Sequence, residues 1–194
     1  MGLVLLRALR RCPNITVRDG VTLTGIRQHA THVTAELKKG DEAFELTAPL
    51  LVAADGATSP CRQMLGVNAT TTPYDQVALV TTVATHLPHG HVAFERFTES
   101  GPMAVLPLPE DRRAVVWTLP AGSEQALIDC SDEEFLAQLQ AAFGKRAGRF
   151  VKTARRFAYP LALTVAQTQA QPRAVILGNA AHTLHPVAGQ GFNL

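Results

Sequence analysis

The stretch "LLVAADGATSPCR", residues 50–62, decides the fold of this chain. Its first five residues form a continuous apolar run, which is typical of a strand buried on both faces of a parallel sheet. The run stops at Asp55, so this carboxylate lies at the carboxyl end of a strand, where open α/β sheets bind ligands. Gly56 lets a backbone or a phosphate approach closely, and Ser59 can cap a following helix. The stretch therefore predicts an α/β sheet with a ligand site at this turn.

Arg62 completes the stretch with a fixed cation. A guanidinium at this position suits either a bound phosphate or an ion pair with Asp55. An ordinary strand–turn–helix with a structural Asp–Arg pair has the same spacing, so both interpretations stay open from these residues alone.

A second stretch, "RAVILGNAAHTLHPVAGQGFNL" at residues 173–194, also predicts a buried strand followed by a turn that could bind a ligand. A short buried strand runs into Gly178, and the two alanines that follow leave room for a ligand on the backbone. The amide of Asn179 can bond a sugar or ribityl hydroxyl. Pro186 fixes a turn, and the Gly189–Gly191 segment offers backbone N–H groups at a predicted helix N-terminus.

His182 and His185 have an HxxH spacing within this second stretch. Two histidines without a third ligand nearby do not make a metal site, so we predict none. A role for either histidine as a general base stays open.

The segments between the two stretches indicate an antiparallel module. "QVALVTTVATH", "HVAFERFTES", "MAVLPL" and "RAVVWTLP" are β-rich and are separated by turn signals. "SDEEFLAQLQAAFG" predicts a helix capped by Ser131, with Glu134 at the capping-box position and a buried stripe of Phe135, Leu139 and Phe143. Upstream, residues 2–11 predict a helix, and residues 14–55 are strand-like throughout. Two strands of one domain thus bracket an inserted second domain.

Composition limits the classes of partner. The 194 residues are 46% apolar and 18% charged with a net charge of +2, which indicates a globular protein and argues against a nucleic-acid partner. No apolar run reaches the ~20 residues of a membrane span. The three cysteines, Cys12, Cys61 and Cys130, have no CxxC spacing, so we expect reduced thiols in a cytoplasmic protein rather than disulfides or zinc.

Together the two stretches resemble the group A flavin-dependent aromatic hydroxylases. "DGATSPCR" matches the DGxxSxxR fingerprint of that family, and "GNAAHTLHPVAGQGFN" is similar to its motif GDAAHxxxPxxGQGxN. Between them, "AFERFTESGPMAVLPL" at residues 93–108 resembles the ubiquinone-biosynthesis branch. The resemblance covers essentially the whole chain.

The resemblance implies a mixed α/β and α+β fold in which an antiparallel substrate-binding sheet is inserted into a partial, Rossmann-like FAD-binding domain. Residues 1–70 and 157–194 would belong to the FAD-binding domain, and residues 71–156 to the substrate domain. The implied cofactor-binding residues are Asp55, Gly56, Arg62, Gly178, Asn179, Pro186, Gly189, Gln190 and Gly191. Asn179 replaces the usual aspartate, which keeps the hydrogen-bonding shape and removes the charge. The candidate substrate-lining residues are Phe94, Phe97, Met103 and Leu106, for which plain sheet core is the alternative.

The implied activity is hydroxylation of a polyprenylated phenol with FAD, NAD(P)H and O2. Such a substrate implies peripheral contact with the inner face of a membrane or with a ubiquinone-biosynthesis complex. A flavoprotein of the same fold that reduces or halogenates another substrate is one alternative, and a non-catalytic domain is another.

The chain departs from the family in what it lacks. The family opens with a GxGxxG unit for the FAD diphosphate and continues beyond the second motif, and neither part is present in these residues. We therefore expect a truncated piece that is colourless and inactive on its own because it does not retain FAD.

Overall fold

The computed structural model describes residues 2–192, which form a mixed α/β fold with antiparallel sheets, as predicted. The helices are α1 (Gly2–Arg11), α2 (Pro60–Met64), α3 (Glu124–Asp129) and α4 (Asp132–Phe143). Short 3₁₀ helices occupy Gly178–Ala180 and Val187–Phe192.

The strands are β1 (Thr22–Gln28), β2 (Val33–Lys39), β3 (Glu42–Ala48), β4 (Leu51–Ala53), β5 (Ala69–Thr85), β6 (Phe94–Thr98), β7 (Gly101–Pro107), β8 (Arg112–Pro120), β9 (Phe150–Thr153), β10 (Phe157–Ala166), β11 (Ala170–Gln171), β12 (Ala174–Ile176) and β13 (His182–Thr183). The chain divides into two compact units, and each is described by itself.

The first unit comprises residues up to Asn68 together with Ala166–Ala181. Strand β4 pairs in parallel with β12, so the prediction of two parallel strands is confirmed. Strand β11 is antiparallel to β12, and β1, β2 and β3 form a separate antiparallel sheet. The core is built mainly from small side chains and includes Ala53, Ile176, Ala180 and Ala181.

The second unit comprises Ala69–Val165 and the residues from His182 onward. Its seven-stranded sheet has the order β13-β10-β5-β8-β7-β6, with β9 also pairing with β5. Helix α4 begins at the predicted capping box of Ser131 and Glu134, and it buries Phe135 and Leu139 completely. These two side chains belong to a core cluster that includes Trp117 and Val115 of the sheet, which confirms the predicted buried stripe.

Three features differ from the sequence-based expectations. Residues 14–21 contain no strand, and Ile15 and Val17 are exposed there. The six-residue helix α3 was not predicted. Strand β10 pairs with β5 and β13, so residues 157–165 and 182–192 pack with the antiparallel sheet, whereas residues 157–194 were all expected to belong to the FAD-binding domain. In residues 2–192, none of the helices has the length and apolarity needed to cross a membrane.

Candidate functional site

The turn after β4 is organised around Asp55. The Ser59 hydroxyl donates to Oδ1 of Asp55 at 2.6 Å, and the backbone N–H of Cys61 donates to Oδ2 at 2.8 Å. Oγ of Ser59 in turn accepts a bond from the backbone N–H of Arg62 at 3.0 Å, so Ser59 caps α2 as predicted. Because both carboxylate oxygens are bonded within the turn, Asp55 fixes the shape of the loop.

These bonds set the protonation of two groups. Burial works against the charged form of Asp55, but the hydrogen bonds from Ser59 and Cys61 outweigh it and lower the pKa of this carboxyl below 3.8. Burial also raises the pKa of the Cys61 thiol to about 12, and the neighbouring Asp55 carboxylate acts in the same direction. The turn therefore holds a carboxylate beside a protonated thiol at neutral pH, which makes Cys61 a poor nucleophile.

Arg62 joins this turn to the turn after β12. Its side chain is 7% exposed, with Nη1 donating to the carbonyl oxygen of Ala180 at 2.6 Å and Nη2 to that of Ala57 at 3.2 Å. Of the two interpretations left open by the sequence, the ion pair with Asp55 does not form among residues 2–192, because the guanidinium points to these carbonyls. Arg62 therefore holds the two turns together at adjacent strand ends.

The backbone of both turns leaves room for a ligand. Gly56 and Gly178 have φ angles of +90° and +56°, and a Cβ built at either position would meet nothing within 4 Å. Asn179 is exposed, and its side-chain amide has no hydrogen-bond partner among the described residues. Open glycine backbone beside a free amide fits the polar chain of a dinucleotide cofactor such as FAD.

The rest of the second motif belongs to the second unit. His182 lies on β13 opposite Val165, and its Nε2 is buried without a partner in the part of the chain that the structure describes. The backbone N–H of Gly189 donates to the carbonyl of Pro186 at 3.1 Å, so this amide is used inside the turn. Gly189 and Gly191 both lie in the 3₁₀ helix Val187–Phe192. The side chain of Gln190, a predicted cofactor contact, lies outside the described part of the structure.

A cavity of about 400 Å³ opens on the seven-stranded sheet of the second unit. Its walls are mainly apolar and combine strands β6, β7 and β8 with the turn of the second motif. The lining residues are Ala93, Phe94, Glu95, Pro102, Ala104, Leu106, Val116, Thr118, Pro186 and Gly189. The size and the apolar walls with few polar groups match a site for a small, mainly apolar molecule.

Two of the four predicted substrate residues, Phe94 and Leu106, belong to the cavity lining, but the Phe94 ring packs on the core side against Phe143 of α4, with ring centroids 6.4 Å apart. Met103 does not belong to the lining, because alternate residues of β7 face opposite sides and Met103 lies fully buried in the core opposite Trp117. Phe97 is 70% exposed and lies outside the cavity wall.

Sequence reasoning missed Thr118 and Glu95 in the wall. Thr118 is 1% exposed, and its Oγ1 has no partner among residues 2–192. A buried, unpaired hydroxyl destabilises a protein unless a ligand or water bonds it. Strand alternation along "RAVVWTLP" could have placed Thr118 opposite the Trp117 face, but the sequence does not show which face borders a cavity.

Comparison with protein families matches residues 3–194 to the FAD binding domain family. Among curated proteins, the chain is 36% identical over 189 residues to ubiquinone hydroxylase UbiL of Rhodospirillum rubrum, covering 97% of this chain and 43% of that protein. It is 33% identical over 190 residues to 3-demethoxyubiquinol 3-hydroxylase of Escherichia coli, covering 98% and 48%. The chain thus spans less than half the length of these relatives.

Among solved structures, p-nitrophenol 4-monooxygenase PnpA of Pseudomonas putida superimposes with a TM-score of 0.76 at 22% identity, covering 98% of this chain and 48% of that one. This likeness concerns the fold, and it confirms the predicted partial FAD-binding fold with its antiparallel sheet. On the match over residues 3–194, the chain belongs to the FAD binding domain family.

Proposed function

We propose that this chain is part of an FAD-dependent monooxygenase that hydroxylates a polyprenylated phenol in ubiquinone biosynthesis, with NAD(P)H as reductant and O2 as oxidant. A 2-octaprenyl-6-methoxyphenol is the candidate substrate. The observation that carries the proposal is the apolar cavity of about 400 Å³ whose wall includes Pro186 and Gly189 of the second flavin motif.

The first unit supplies the cofactor contacts in this proposal. The open backbone at Gly56 and Gly178 lets the cofactor chain approach, and the exposed amide of Asn179 bonds a ribityl hydroxyl. Asp55 and Arg62 keep the two turns in shape. FAD held by these residues would supply the redox chemistry, passing two electrons from a nicotinamide nucleotide to O2, so that one oxygen atom of O2 would enter the ring and the other would leave as water.

The second unit supplies the substrate site. Ala104, Leu106 and Val116 pack against the phenol ring and exclude water, which keeps the ring in one orientation. The unpaired Oγ1 of Thr118 bonds the phenol hydroxyl after a small adjustment of its side chain. Thr118 and these apolar residues thus act by positioning the ring.

The similarity to a ubiquinone hydroxylase and to a 3-demethoxyubiquinol 3-hydroxylase supports a prenylated phenol as the substrate. A polyprenyl tail partitions into lipid, so the proposal includes peripheral contact with a membrane surface. Identity of 33–36% supports the substrate class rather than the ring position.

The test is turnover by the protein expressed from its complete reading frame, with bound flavin measured by absorbance. NAD(P)H consumption and product mass are then followed with a prenylated phenol, with the same phenol without its tail, and with halide. We expect a mass gain of one oxygen only with the phenols, and a lower KM with the tail. Halogenated product, or NAD(P)H oxidation that leaves every phenol unchanged, would overturn the proposal.

A further inference from the structure

His185 uses both of its ring nitrogens in hydrogen bonds within the second unit. Its Nδ1 accepts the backbone N–H of Val187 at 3.2 Å, and its Nε2 lies 3.1 Å from Oε1 of Gln76 on strand β5. The ring also packs edge-on against Tyr74, with centroids 5.2 Å apart. Three groups therefore fix the imidazole in place.

The partners decide where the proton of His185 resides. Nδ1 faces an N–H donor, so it must carry a lone pair. Nε2 faces a side-chain amide oxygen, so it must carry the proton. The amide of Gln76 is itself oriented, because its Nε2 donates to the carbonyl of Ser100 at 3.0 Å. The whole chain of bonds is satisfied only by the neutral Nε2–H form.

This chain of bonds connects the sheet to the turn that borders the cavity. Pro186 follows His185 directly, and Gly189 donates its N–H to Pro186; both residues line the cavity. A ring locked between Gln76 and Val187 thereby sets where this part of the wall lies. The same bonds leave neither nitrogen free to accept a substrate proton or to bind a metal.

We propose that His185 is a positioning residue that, as the neutral Nε2–H tautomer, fixes the turn of residues 187–192 to strand β5 and so shapes the cavity. It is neither a general base nor a metal ligand. That the cavity takes a phenol rests on the proposed function, whereas the tautomer and the anchoring of the turn do not.

The test separates the two bonds of the ring. His185→Asn keeps an acceptor near the position of Nδ1, while His185→Leu removes both bonds. His86 is a matched control, because its Nδ1 likewise accepts a backbone N–H, that of Arg149 at 2.8 Å, and it does not line the cavity. We expect His185→Leu to raise the KM for the prenylated phenol about tenfold, with a smaller rise for His185→Asn and none for His86→Leu.

A direct readout uses ¹⁵N NMR of the imidazole and of the Val187 amide in the protein from its complete reading frame. We expect a protonated Nε2 and an unprotonated Nδ1 for His185, and a Val187 amide that exchanges faster with solvent in His185→Leu. A proton on Nδ1, or an unchanged Val187 amide, would overturn the proposal. These signals are read without turnover, so failure of the hydroxylase proposal would leave them interpretable.

Discussion

At the scale of single residues, Asp55 and Cys61 are the clearest example of neighbours that set each other's chemistry. The carboxylate accepts bonds inside the turn, and its charge helps to keep the Cys61 thiol protonated. A lowered carboxyl pKa stabilises the fold above the ordinary value of 3.8, and this contribution is lost as the pH falls through the lowered value.

We predict that Cys61 reacts with iodoacetamide much more slowly than the exposed Cys12 at pH 8, because a thiol with a pKa of about 12 has almost no thiolate there. Asp55→Asn should accelerate Cys61 and leave Cys12 unchanged. Mass spectrometry of labelled peptides gives both rates in one sample. Equal rates at the two cysteines in the unsubstituted protein would contradict the assigned environment.

We also predict opposite effects of removing two buried hydroxyls. Thr118→Val deletes an unpaired hydroxyl, so the free energy of unfolding should rise by about 1 kcal/mol, while the affinity for a phenol should fall about fivefold. Thr81→Val deletes a hydroxyl that donates to a backbone carbonyl, so it should destabilise the protein instead. Denaturant unfolding and ligand titration measure both, and loss of stability in Thr118→Val would show that its hydroxyl is already bonded.

At the scale of elements, the sequence predicted those that carry strong local patterns. The continuous apolar run before Asp55 predicted β4, and the capping box with a four-residue apolar spacing predicted α4. Helix α3 is too short to show a period, and residues 14–21 have a strand-like composition but no strand to pair with. The role of Arg62 as a clamp between two turns depends on residues 118 positions apart, which no local pattern encodes.

At this scale we predict how the loss of the Arg62 side chain changes the stability of the protein. Arg62→Met leaves two backbone carbonyls without donors, so it should lower the free energy of unfolding by about 2 kcal/mol. Arg27→Met is the control, since that half-exposed side chain pairs with Glu36 and Glu45 at the surface and should change stability by less than about 1 kcal/mol. Chemical unfolding compares the two, and equal losses would argue against the clamp.

At the scale of the whole molecule, the end of the inserted module predicted from the sequence differs from the end seen in the structure. The sequence indicates that an antiparallel module lies between two parallel strands, but the residue pattern of β10 does not indicate which sheet this strand joins. In the structure it pairs with β5 and β13, so the second flavin motif is shared: Gly178–Ala181 belongs to the first unit and the residues from His182 to the second. The assignment of one unit to flavin and the other to substrate stays a prediction.

The most direct test of the account is FAD binding by the protein from its complete reading frame, measured by flavin fluorescence in Gly178→Ala and Gly40→Ala. These glycines have φ angles of +56° and +58° with open space around both, so the backbone strain added by alanine is matched. The account predicts that Gly178→Ala weakens FAD binding at least about tenfold through a clash with the cofactor, and that Gly40→Ala does not. Equal FAD affinity in the two variants would contradict a flavin site at the turn after β12.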